Sequence, residues 1–442
     1  MKTRKYTDFI KYIPLFALLM IAFACAEEKR FDINVDDSIP PGMPTIKKAY
    51  RALHGGARLY YNPPADEDVL SIDVEYANPN TKKTVRYSAS YLTDSIDIYG
   101  LPDTVDYKLN LFAVDRAGNK SESTEITVRP LESALSQVRK SMVVKGGFDA
   151  LFVTWADTLE RPINVIVDYA FTLNGAQRSL RTVFSSKERE NRRYITDLAL
   201  EPTSPVKVQA RVSDEFGNVT EPVEFGNLFV LKDVLVPKFD ANKNALWKLP
   251  VSGEYAPAGS DVSQVFGSGM EGLLSRVIDG EIDERENLNF LVASPYSDPF
   301  PPNNYPPYYW NVLIDLGDYY ELSRIRTHQR HTAGGDAVDN GKRANYYRSS
   351  NVGQYRMYRW DDTENRWDTL SMHRIPIPVG ELAEIDWYRL GRAGDMAYMY
   401  PNDPKYTKPT RWFRYEGMAN FDQNYSGGAG CLSEITLYSK KK

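Results

Sequence analysis

Three short segments in the last third of the chain concentrate side chains able to grip a hydroxyl-rich ligand. Thr327-His328-Gln329-Arg330-His331-Thr332 ends an alternating stretch and places two of the 4 histidines beside an arginine. Arg343, Asn345, Tyr346, Tyr347, Arg348 and Asn351 follow, and a glycine-rich stretch holds Asn420, Phe421, Asn424 and Tyr425. Planar polar groups bond hydroxyls, and aromatic rings stack on the apolar C–H faces of sugars. Packing at strand ends is the competing reading for each of these residues taken singly. Covalent chemistry finds less support. A glycosidase needs two carboxylates across a cleft. Asp336, Asp339 and Asp361 are available, as acids are in any acidic chain. No G-x-S-x-G, H-E-x-x-H, phosphate-cradling glycine loop or Cys–His pair stands out. His328 and His331 are three apart on an expected strand with no evident third ligand, which argues against zinc. The expectation is a protein that binds and does not catalyse.

The elements that must carry these segments read as strands. Tyrosine is abundant at 30, long Ala/Leu/Glu/Lys runs are missing, and alternating stretches such as Ser71–Tyr76 and Val206–Val212 recur between turn residues. The fold class is therefore all-β. An internal repeat sets its scale. Tyr107–Asn119 and Val206–Asn218 are both an alternating strand running into D-x-x-G-N, and Asp115 and Asp214 lie 99 positions apart. That period is one immunoglobulin-sized sandwich, and the turn closes a hairpin. Gly55-Gly56 precedes a strand ending at Tyr61, and Gly146-Gly147 precedes one reaching Trp155. These two aromatics are expected between the sheets of each unit. Trp310, Trp360, Trp367 and Trp412 read as strand-borne core.

The N-terminus reads as an export signal. Lys2, Arg4, Lys5 and Lys11 precede an unbroken apolar run from Tyr12 to Ala24, too short to span a bilayer comfortably, and Cys25 follows. Ala24-Cys25 resembles a bacterial lipobox, with Ala22 where leucine is usual, so Cys25 is the expected lipidation site. A plain secreted chain cleaved near Ala24 or Ala26 is the alternative. Glu27-Glu28 behind the cysteine resembles the surface-export signal of Bacteroidota lipoproteins. With Cys25 lipidated, Cys431 has no disulfide partner. Removing residues 1–24 takes four basic residues and Asp8 from totals of 54 and 59, leaving a net charge of −8. That balance, with no basic run, argues against nucleic acid.

Residues 38–130 and 131–235 together resemble two fibronectin type III domains, following a signal peptide at 1–24 and a lipidated linker at 25–37. In the last part, Ser275–Gly280, Tyr309–Gly317 with Glu321–Arg326, then Thr410–Tyr415 with Leu432–Tyr438 occur in order. Together they resemble a discoidin-like domain, the coagulation factor V/VIII type C, galactose-binding-like jelly roll, over 255–440. Insertions fall at Phe290–Tyr308 and near Ile375–Pro409. The whole arrangement resembles Bacteroidota surface lipoproteins of glycan-utilisation loci. The resemblance implies capture of a polysaccharide or oligosaccharide beside an outer-membrane transporter and its partner lipoproteins. A protein-interaction scaffold without direct glycan binding is the alternative. Related sugar-binding modules imply His328 and Arg330 as hydroxyl-bonding groups, and Tyr346 and Tyr425 as stacking rings. They also imply one structural calcium near Asp279 and Glu434. Calcium needs six to eight oxygens, and Glu434 paired with Arg324 is the competing reading.

Overall fold

A computed structural model of the chain describes residues 38–442, apart from 197, 251–256, 258–270, 285–288, 294–309, 332–344, 348–350, 379–381, 383 and 422–429. The protein is all-β, built as sandwiches in series. Cys25, and with it the lipidation site, lies outside the described residues, as do Arg343, Arg348, Asn424, Tyr425, Asp336, Asp339 and most of the Phe290–Tyr308 insertion.

The first sandwich comprises β1 (Thr45–Leu53), β2 (Gly56–Asn62), β3 (Val69–Ala77), β4 (Thr84–Ser90), β5 (Ser95–Tyr99), β6 (Tyr107–Asp115) and β7 (Thr124–Val128). Helix α1 (Ala134–Ser141) leads into the second. Its strands are β8 (Val143–Gly147), β9 (Ala150–Ala156), β10 (Ile163–Leu173), β11 (Ala176–Ser186), β12 (Glu190–Ile195), β13 (Val206–Asp214) and β14 (Val223–Leu228). The sheets β1-β2-β5 and β4-β3-β6-β7 recur in the second sandwich as β8-β9-β12 and β11-β10-β13-β14. The internal repeat is thus a repeat of topology. Tyr61 and Trp155, 0% and 3% exposed, fill equivalent places between the sheets. Each buries roughly 200 Å², contributing about 5 kcal/mol before ordering costs.

Both D-x-x-G-N turns close hairpins. Asp115 Oδ1 and Oδ2 accept from the backbone and side-chain N–H groups of Asn119 at 2.8 and 2.9 Å. Asp214 does the same for Asn218 at 2.9 and 2.9 Å. The second turn also joins the sandwiches. Buried Asn218 accepts from Asn78 Nδ2 at 2.9 Å and donates to the Gly100 carbonyl at 3.1 Å. Asn218→Ala orphans both groups, and each orphaned group costs about 1–3 kcal/mol. A lower unfolding midpoint and earlier proteolysis between residues 128 and 134 are the expected results.

The third sandwich uses β15 (Val234–Leu235), β16 (Leu291–Ala293), β17 (Trp310–Tyr320), β18 (Leu322–His328), β19 (Val352–Asp361), β20 (Arg366–Arg374), α2 (Glu384–Ala393), β21 (Asp395–Tyr398), β22 (Thr410–Asn420), β23 (Gly430–Leu432) and β24 (Glu434–Ser439). Sheets β15-β24-β18-β21 and β17-β22-β19-β20 enclose the core, with β16-β23 as a short pair. This core includes Val236 and Trp247, so a boundary at 255 leaves out a strand and two core residues. Trp310 belongs to it, whereas Trp360, Trp412 and the partly buried Trp367 form a separate cluster with Leu313.

The second and third sandwiches meet through an aromatic and ionic joint. Phe148 packs against Tyr398 and Tyr406, with centroids 5.9 and 5.1 Å away, and Tyr194 stacks on Tyr398 at 4.8 Å. Arg324 grips Asp233 with two bonds of 2.7 and 2.5 Å and lies 5.6 Å over the Phe148 ring. Glu434 therefore does not have Arg324 as its partner.

Candidate ligand-binding end of the third sandwich

The pairing of the third sandwich brings the sequence-selected segments to one end. Strand β18 ends at His328, which faces Glu434 across the ladder, and Val352 at the start of β19 faces Asn420 at the end of β22. Arg330, the Asn345–Tyr347 turn and Phe421 are brought together beyond those ends. Asn351 ties them, donating to the carbonyls of Arg330 and Tyr346 at 2.8 Å each.

Of the expected contact residues, Arg330 is partly exposed. Its guanidinium lies 4.9 Å over the Phe290 ring, a cation–π contact. Beside it Asp283, 0% exposed, accepts from the His331 N–H at 2.6 Å. Burial raises the Asp283 carboxyl to about 6, against the pull of that N–H and of Arg330.

His328 and Tyr346 do not match the expectation. His328 is 8% exposed and lies beneath Gly394, where a β-carbon would come within 2.7 Å of the ring. Burial, then Arg326 and Lys238, lowers its pKa to about 4, so it is neutral at pH 7 and packs as core. Tyr346 is 1% exposed. Its hydroxyl donates to the Asp283 carbonyl at 3.1 Å, and its ring lies against His331 and Tyr388 at 4.7 and 5.9 Å. No face is left for a sugar. Phe421 and Tyr347 are buried as well, 5.9 Å apart, with Trp387 edge-on to Tyr347.

The Ile375–Pro409 insertion supplies α2, which packs on the Asn345–Tyr347 turn. It brings Tyr388 and Arg392 to this end, residues the sequence reading missed. Tyr388 is partly exposed, and Arg392 binds Glu284 through Nε and Nη2 at 2.9 and 2.5 Å. The available signal was the spacing of Tyr388 and Arg392, four apart and so on one helical face.

The calcium expectation does not fit the residues present. Glu434 is paired with the Lys238 ammonium, their side chains 3% and 10% exposed. Asp279 Oδ1 already accepts from the Glu281 N–H and Asn289 Nδ2 at 2.9 and 3.1 Å. Among the described residues no group of three or more His, Cys, Asp or Glu side chains could hold a metal ion. The acid candidate Asp361 is bound by Arg359 at 2.6 Å and accepts two backbone N–H groups, with Arg359 foremost in holding it at about 2.

A family model described as a domain of unknown function, DUF4959, matches residues 42–130, the first sandwich. No curated protein matches the chain. Among solved structures, a SusE-like protein is 15% identical, with 70% of this chain and 99% of that one covered and a TM-score of 0.33. A carbohydrate-binding module, CBM32-3 of a family 31 glycoside hydrolase from Clostridium perfringens, is 14% identical over 38% of this chain and 82% of that one, at 0.23. A two-domain fibronectin type III segment of chicken tenascin is 16% identical over 42% and 99%, at 0.21.

Proposed function

We propose that the protein is a non-catalytic glycan-binding lipoprotein of the Bacteroidota cell surface. Lipid on Cys25 anchors it to the outer membrane, and it presents glycan to an adjoining transporter and that transporter's partner lipoproteins. The ligand site is the end of the third sandwich around Arg330, with Tyr425 as a stacking ring. The observation that carries this reading is the Arg330 guanidinium 4.9 Å from the Phe290 ring centre, beside the ends of β18, β19 and β22, with Tyr388 on the neighbouring helix. A guanidinium is a planar donor group suited to bonding paired sugar hydroxyls. The order of sequence segments resembling discoidin-like sugar binders supports the same end. The acidic residues after Cys25 support export to the surface.

The test is a binding titration with an oligosaccharide retained by the wild-type protein. A hydrogen bond from a charged donor is worth about 1.5–3 kcal/mol, so Arg330→Ala should weaken binding at least about tenfold. The thermal midpoint should stay within about 2 °C, because Arg330 lies at the rim. Unchanged affinity in Arg330→Ala contradicts the placement of the site.

A further inference from the structure

The pairing of Lys238 with Glu434 has a consequence independent of the glycan reading. Lys238 belongs to the segment that enters the third sandwich, between Val236, whose N–H donates to the Leu437 carbonyl at 2.9 Å, and buried Trp247. A tight hairpin fixes it there. The Leu246 N–H donates to the Lys238 carbonyl at 2.7 Å. Asp240 caps the hairpin by accepting from the N–H groups of Asn242 and Asn244 at 2.8 Å each and from Asn244 Nδ2 at 2.8 Å. This is the same side-chain closure as in the D-x-x-G-N turns, with Lys243 taking the positive φ of 64° that glycine takes there. The hairpin holds the Lys238 ammonium against the Glu434 carboxylate and 5.2 Å over the Trp247 ring, while Asp279 adds its attraction. Burial lowers the ammonium, to about 7, with Asp279 opposing.

We infer that Lys238 is the built-in cation of the third sandwich, an ammonium paired with Glu434 and attracted by Asp279, the two carboxylates that a divalent metal would need. A metal ion there would have to displace the ammonium or bear its repulsion, and would find Asp279 Oδ1 already engaged. Calcium therefore has no place at Asp279 and Glu434, and the charge balance there depends on the segment that joins the third sandwich to the second.

Calorimetry on the full mature chain tests this. The wild-type unfolding midpoint should be the same, within about 1 °C, in excess calcium chloride and in excess EDTA, because a ligand that does not bind the native state does not shift it. Lys238→Met leaves the Glu434 carboxylate buried and unpaired, and the midpoint should fall by about 5–15 °C. Lys238→Met/Glu434→Gln removes the stranded charge and should recover a substantial part of that loss. A wild-type midpoint raised several degrees by calcium overturns the inference. So does Lys238→Met at the wild-type midpoint, or a double variant no more stable than the single one. If Lys238→Met does not fold, the double variant decides: folded, it supports the stranded-charge account; unfolded, it overturns it.

Discussion

Trp310→Ala is expected to unfold the third sandwich at a temperature where the first two remain folded. Trp310 begins β17 opposite Gly417 of β22, and its indole fills the space that β-carbons at Gly417 and Gly430 would take. At Gly430 that β-carbon would sit 2.7 Å from Nε1. The ring is 4% exposed and lies 5.7 Å from Tyr415. Truncation leaves a cavity lined by two glycine backbones that have no side chains to move into it, and the loss is about 3–5 kcal/mol. For a sandwich of this size that lowers the transition by roughly 6–20 °C. The reciprocal change, Gly417→Ala, drives a methyl into a rigid ring and should cost about 1–3 kcal/mol. Calorimetry reads both. A loss below about 1 kcal/mol in Trp310→Ala would show that the slot closes by itself.

Arg324→Ala is expected to cost about as much, by a different route. Asp233 is 1% exposed at its side chain, and its carboxylate accepts two bonds from Arg324 and one from Ser323 Oγ at 2.6 Å. The Arg324 guanidinium carbon also lies 5.6 Å from the centre of the Phe148 ring and 5.2 Å from that of Tyr438. Removing the arginine strands a buried carboxylate, which costs about 3–5 kcal/mol, and empties the middle of the joint between the second and third sandwiches. The midpoint should fall, and proteolysis should begin at residues 229–235. Asp233→Asn in the same chain should restore part of the loss, because the stranded charge is its main source. Equal stability of Arg324→Ala and wild type would mean that the joint is held by Phe148, Tyr194 and Tyr398 alone.

The parts legible in sequence are those fixed by local chemistry. The D-x-x-G-N turns, the repeat they mark, and Tyr61 and Trp155 between the sheets all follow from short-range patterns, and the fold places them as read. The candidate site is legible as a convergence of segments, because strand alternation gives strand ends. Which side chains there face solvent is not. His328 and Tyr346 have the right types for sugar contact, yet Gly394 lies over the first and Gly391 packs against the second. Both glycines belong to an insertion whose helix an all-β reading does not foresee. The partner of Glu434 was hidden for a similar reason. Arg324 is two strands away in sequence pattern and carries an obvious charge, but Asp233, next to β15, claims it. Lys238 reaches Glu434 only because the Asp240 hairpin turns it inward. The D-x-x-x-N pattern of that hairpin is readable from Asp240 and Asn244; its contact across the chain is not.

Retention in native affinity gels cast with a panel of polysaccharides tests the glycan-binding reading most directly, with wild type and Arg330→Ala run side by side. At least one polysaccharide should retard the wild-type protein, in calcium or EDTA alike, and Arg330→Ala, folded to the same midpoint, should run unretarded on it. Wild-type protein that is folded and unretarded by every polysaccharide, or Arg330→Ala retarded equally, would contradict it and leave the protein as a scaffold whose partners are proteins.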